Sequence, residues 1–121
     1  MRKFDLEERL INFSVSVIEF TQEIPKSYTG IHLSKQLVRS GTSVSLNYGE
    51  AQASESKKDF IHKMKIVLKE LREAFICLKI LIRTKLYETK EKITLIYSEC
   101  NELISIFVKS IETVSKNQKI K

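Results

Sequence analysis

The 121-residue chain holds a single proline and only three glycines. So few breakers argue against a many-turned β fold and for long helices. Cysteine is equally scarce. Cys77 and Cys100 make no disulfide framework. With His32 and His62 they reach the ligand number of a zinc site, but no CxxC or HxxxH spacing arranges them. Their core-like neighbours give both cysteines the reading of reduced, buried residues. No charged start, apolar run and cleavage site occur together, so no signal peptide is visible. The densest apolar stretch, Ala74 to Ile82, is too short to cross a bilayer and contains Lys79. A cytoplasmic protein that uses no membrane is the expectation.

Catalytic patterns are missing too. The "SGTS" run lacks the lysine of a phosphate-binding loop. No Glu-x-x-His pair offers a di-metal carboxylate site. No serine has a neighbouring histidine to activate it. The expectation is no enzyme, no metal, no cofactor and no small-molecule substrate. His32 reads as an exposed first-turn residue of a helix, and His62 as part of a basic face.

What is present fits one folded domain, residues 1–121, with 42% hydrophobic and 30% charged residues. The net charge is +6, and its location is informative. Residues 57–85 carry nine basic against three acidic side chains, while the rest of the chain is close to balanced.

Hydrophobic spacing predicts four helices, at about 5–24, 30–53, 56–85 and 89–116. In the first, Asp5 is a candidate N-cap. Leu6, Leu10, Phe13, Val17, Phe20 and Ile24 follow at alternating spacings of about four and three, until Pro25 stops the helix. "PKSYTG" is read as a connector. The third opens at Ser56 with Asp59 three residues on, close to a capping box. Its inner stripe is Phe60, Met64, Val67, Leu71, Ala74, Leu78 and Leu81. "RTKLYETK" is a turn. The fourth repeats the pattern with Ile93, Ile96, Cys100, Leu103, Phe107 and Val114, and "KNQKIK" is expected to fray.

The second helix is the least obvious, because "RSGTSVSLNYGEA" is rich in poor helix formers. Two stripes decide it. Leu37, Val44, Tyr48 and Ala51 form an apolar one, and Arg39, Ser43, Asn47 and Glu50 a polar one beside it. A loop needs neither. Gly41 costs about 1 kcal/mol relative to alanine there, which packing has to offset. Small residues at that point let a neighbouring helix come close. Short connections then give an all-α, antiparallel up-down-up-down four-helix bundle. The second and third helices form a hairpin turning near Ser54. This register sets Arg39 near Glu70 and Glu73, Asn47 near Ile61, and Glu50 near Lys58 and Asp59.

The stretch Leu33 to Ala74 carries Gln36-Leu37, Arg39-Ser40-Gly41-Thr42-Ser43, Asn47, Glu50-Ala51, Ser56, Asp59-Phe60, Lys63 and Lys69-Glu70. In these residues, over about a third of the chain, it resembles the four-helix-bundle family of 23S ribosomal RNA intervening-sequence proteins. Departures from the family pattern fall at Val44-Ser45-Leu46, Tyr48-Gly49 and Phe75-Ile76. The resemblance implies a ring-shaped homopentamer. It also implies kinship with the accessory variability determinant of diversity-generating retroelements, a basic bundle that assists a reverse transcriptase and contacts nucleic acid. Most members of the family have no established activity.

Three features can carry function. The first is a basic row on the third helix: Lys58, His62, Lys65, Lys69, Arg72, Lys79 and Arg83, interrupted by Ile76. It lies opposite the inner stripe and extends about 37 Å at 1.5 Å per residue. Such a row can follow several phosphates of RNA or DNA without reading bases. The other reading is a solvated lysine face. The second feature is "AFICLKILI", apolar on nearly every side. Phe75, Ile76, Ile80 and Ile82 there are candidates for a subunit interface. A thick local core is the alternative, and membrane docking a third reading. The third is the polar stripe Arg39, Ser43, Asn47 and Glu50 facing Asp59, Lys63 and Glu70, read as a structural network. Together these predict a non-enzymatic, oligomeric scaffold associated with nucleic acid or a reverse transcriptase. The rival is a protein–protein adaptor with no nucleic-acid affinity.

Overall fold

The structure, a computed structural model, describes residues 5–86 and 90–120, without the side chains of 117–120. Four helices follow one another: α1 (Leu6–Thr21), α2 (Tyr28–Gln52), α3 (Lys57–Arg83) and α4 (Glu91–Ile120). No strand occurs among the described residues. Each helix packs on its chain neighbours, and α1 closes on α4. The result is an antiparallel four-helix bundle. The stripes read from spacing are the buried ones. Leu10, Val17, Leu37, Val44, Val67 and Leu71 are fully buried, because one face of each amphipathic helix must leave water. Phe107 completes the centre and meets the Tyr48 ring edge-on at 5.8 Å between centroids.

Helix ends depart from expectation in ways with clear causes. Asp5 sits at the start of α1, but its side chain makes no capping hydrogen bond. α1 ends at Thr21 rather than near residue 24. Residues 22–24 tighten into three-residue turns, with the amide of Ile24 donating to the Thr21 carbonyl at 3.3 Å. Pro25 disfavours the α conformation at Ile24, so the helix unwinds ahead of it, yet Ile24 remains buried. α2 takes Tyr28 and Thr29 from the expected connector, because Ser27 caps it: its hydroxyl accepts from the Gly30 amide at 3.0 Å. Gly30 is required there, since a Cβ would fall 1.9 Å from the Pro25 carbonyl oxygen.

Ser56 caps α3 as read, its hydroxyl accepting from the Asp59 amide at 3.0 Å. α3 stops at Arg83. Lys90 folds back on its last turn and donates to the carbonyls of Ile82 and Thr84. A cation there answers both the unpaired carbonyls and the negative helix end. The expected start of α4 near residue 89 lies outside the described residues. Its far end was expected to fray from Lys116, but the helix continues to Ile120, since no glycine or proline interrupts it.

α2 is continuous through Gly41. The glycine is buried against α1, and a Cβ there would stand 2.9 Å from Val17 Cγ1. Beside it, the Ser14 hydroxyl donates to the Gly41 carbonyl and shares a hydrogen bond with Ser45, both at 2.7 Å. The poor helix formers therefore mark the close crossing of α1 and α2.

Candidate nucleic-acid interface

The basic residues of α3 divide by their partners. Lys58, His62, Lys65, Lys69, Arg72 and Arg83 are exposed, and among the described residues none of them forms an ion pair. Lys63, on the flank toward α2, is tied to Glu50 at 2.7 Å. Other cations facing neighbouring helices are held likewise. Arg9 bridges Glu99 and Glu102, Arg39 bridges Glu70 and Glu73, and Lys92 meets Glu23. These cations of the outer face of α3 are thus left without ion-pair partners among the described residues.

Lys79 departs from the row. It is half-buried, its ammonium 5.3 Å from the centre of the Phe75 ring. Phe75 in turn stacks on Tyr97 of α4 at 4.5 Å and 16°. The basic row is therefore continuous from Lys58 to Arg72 and again at Arg83, with Lys79 leaning toward α4. The exposed side chain of Ile76 lies within the same face.

The apolar run resolves into two groups. Ile76 and Ile80 are exposed, at 51% and 46%. Phe75 and Ile82 are partly buried and pack against the core of their own chain. An α3 wedged between α2 and α4 needs apolar residues on both flanks, which explains Phe75, Ile82 and Cys77. Sequence reasoning missed a second exposed apolar stripe, Ile11, Val15 and Ile18 on α1. Its spacing is helical, but it borders the inner stripe closely enough to be read as core.

The polar stripe is likewise broken into parts. Arg39 joins Glu70 at 3.2 Å and also Glu73. These bonds, Glu73 foremost, hold its pKa above the usual range. Lys63 joins Glu50, and Asp59, expected beside Glu50, lines the same pocket as both. Each helical side chain leans toward its own N-terminus, so contacts across an antiparallel hairpin fall beyond the level pair. Between the ends, Asn47 donates to the Ser43 carbonyl one turn back, at 2.9 Å. Asp59 holds the start of α3 through its amide. No single network joins these seven residues.

Nothing convergent enough for a metal appears: no group of three His, Cys, Asp or Glu among the described residues is placed to hold one. Both cysteines are free and buried. Burial pushes the Cys77 thiol up to about 11 and, with Glu99 second, that of Cys100 to about 12. No described helix is long and apolar enough to cross a membrane.

The model of the 23S rRNA-intervening sequence protein family matches residues 2–109. The chain belongs to this family. A crystal structure of a protein of unknown function from the S23 ribosomal protein family of Bacteroides thetaiotaomicron has the same fold. The two are 31% identical with a TM-score of 0.78, over 87% of this chain and 96% of that one. No curated protein matches. Within the 23S rRNA-intervening sequence fold, several of the residues that carry the resemblance serve packing, pairing and capping. Ser40 and Gly41 are buried at helix crossings, Arg39 pairs with Glu70, and Ser56 caps α3. The likeness therefore carries architecture.

Proposed function

We propose that the protein is a non-enzymatic, cytoplasmic scaffold that associates with RNA or DNA through the outer face of α3. The observation that carries this reading is the row of exposed, unpaired cations, Lys58, Lys65, Lys69, Arg72 and Arg83, on one helix face, whereas Arg9, Arg39, Lys63 and Lys92 are paired with carboxylates of neighbouring segments. Uncompensated charges at helical spacing can neutralise successive phosphates and release their counterions. Binding should then be steeply salt-dependent and nearly blind to sequence, because no aromatic platform accompanies the row. A reverse transcriptase as partner follows only from the family resemblance.

Self-association is the second half of the proposal. A ring, such as the pentamer the resemblance implies, needs two different patches on each subunit. Ile76 with Ile80 on α3, and Ile11, Val15 and Ile18 on α1, supply two exposed apolar patches. Each lies one turn from a residue that reaches α2: Cys77 approaches the Leu33 carbonyl, and Ser14 the Gly41 carbonyl. Those same patches favour the rival reading, a protein–protein adaptor.

The test is a binding titration with duplex DNA and with RNA across a salt series. Engagement of about five phosphates predicts a slope of log K against log salt near −4, and replacing Lys65, Lys69 and Arg72 by Glu should abolish most of it. Absence of binding at low salt would leave the adaptor.

A further inference from the structure

The bundle has an open corner. Arg9 meets Glu99 and Glu102, so α1 begins beside the middle of α4. Beyond about Ser105, the flank of α4 has no α1 neighbour among the described residues. The corner is a cavity of about 870 Å³ near the α2–α3 turn, a size that accommodates a small organic molecule. Leu6, Phe60, Met64, Ile106 and Val114 give it apolar walls from three helices. Tyr48 lines it from α2.

Tyr48 is the second observation. The residue is 8% exposed, and its hydroxyl forms no hydrogen bond among the described residues. At the wall of an open cavity, such a hydroxyl is free to bond to whatever occupies the space. Burial foremost, with the Glu7 carboxylate second, holds it above the ordinary phenol range. It is therefore a protonated donor awaiting an acceptor. Asp5, Arg9 and Lys109 also line the cavity; Arg9 is neutralised by Glu99 and Glu102, and the proximity of Glu7 disfavours an anion beside Tyr48.

We propose that this cavity binds an uncharged, largely apolar small molecule whose carbonyl oxygen accepts a hydrogen bond from Tyr48. The site is separate from the basic row of α3, so it stands or falls independently of nucleic-acid binding. Three matched probes test it: 2-acetylnaphthalene, 2-ethylnaphthalene and 2-naphthoate. The chain contains only two methionines, and Met64 lines the cavity. A methionine-methyl NMR spectrum therefore reports occupancy at one assigned signal, with Met64→Leu fixing the assignment.

The expected result is a saturable Met64 shift with 2-acetylnaphthalene, and weaker binding of both the ethyl compound and the carboxylate. Tyr48→Phe keeps the ring in place; it should weaken the acetyl compound about five-fold and leave the ethyl compound unchanged. No Met64 response to any probe would overturn the proposal. So would tightest binding of 2-naphthoate, or loss of both neutral probes alike in Tyr48→Phe. A Met64 shift that follows protein dilution and ignores the probes would assign the cavity to a second copy of the chain, and overturn it as well.

Discussion

At Arg39, one guanidinium holds two carboxylates, and only one of them is out of water. Glu70 is 9% exposed and Glu73 is exposed. Replacing Arg39 by Ala would strand the Glu70 charge in the α2–α3 seam. Stability should fall by about 1–3 kcal/mol, the cost of an unsatisfied buried acceptor, measurable by urea denaturation. Replacing Glu73 instead should do much less, since exposed ion pairs contribute little. The cysteines give a pH prediction. Folded thiols that ionise only at about 11 and 12, above the 9.0 of an ordinary thiol, retain protons the unfolded chain has lost. Their contribution to stability is full below pH 9 and is lost as pH rises through those values. A Cys77→Ala, Cys100→Ala variant should show a shallower alkaline decline in its unfolding free energy.

Two glycines of the same helix should respond in opposite senses. Gly41 faces Val17 with no room for a methyl group. Gly41→Ala should destabilise by about 1–3 kcal/mol through overpacking, outweighing the gain in helix propensity of about 1 kcal/mol. Gly49 is exposed, and nothing lies within 4 Å of the Cβ it lacks. Gly49→Ala should stabilise by about 0.5–1 kcal/mol. Paired denaturation midpoints check both, and a stabilising Gly41→Ala would refute the close crossing of α1 and α2. The caps belong to this scale as well. Ser27 and Ser56 each satisfy one amide at a helix start, and replacing either by Ala should cost about 1 kcal/mol.

For the whole molecule, the proposed assembly separates surface from core. Ile76→Glu with Ile80→Glu, or Val15→Glu, alters exposed positions and should leave the helical fold intact. Sedimentation velocity should nevertheless show a smaller species than the parent chain. A parent that sediments as a monomer at micromolar concentration would remove the ring from the proposal. Phe75→Ala serves as the contrast. Because Phe75 stacks on Tyr97 inside the subunit, its loss should lower the unfolding midpoint first.

How much was legible follows from periodicity. Every helix announced itself through apolar spacing, and Ser56 through its position ahead of an apolar run, because both are properties of residues near one another in sequence. Arg39 was placed beside Glu70 and Glu73 by counting from the turn, and it pairs with both. Besides the exposed α1 stripe of Ile11, Val15 and Ile18, three features escaped. The Arg9 bridge to Glu99 and Glu102 joins the two ends of the chain. The partial burial of Phe75 and Ile82 depends on their packing within the bundle. The open corner beneath Tyr48 depends on α1 being shorter than the helices beside it. The sequence by itself determined the helices, their inner faces and the concentration of positive charge, since these depend on local spacing alone. Tertiary structure decided which cations remain unpaired, which apolar residues remain exposed and where the core is incomplete. Each of those depends on what a distant segment brings alongside, and no local pattern encodes it.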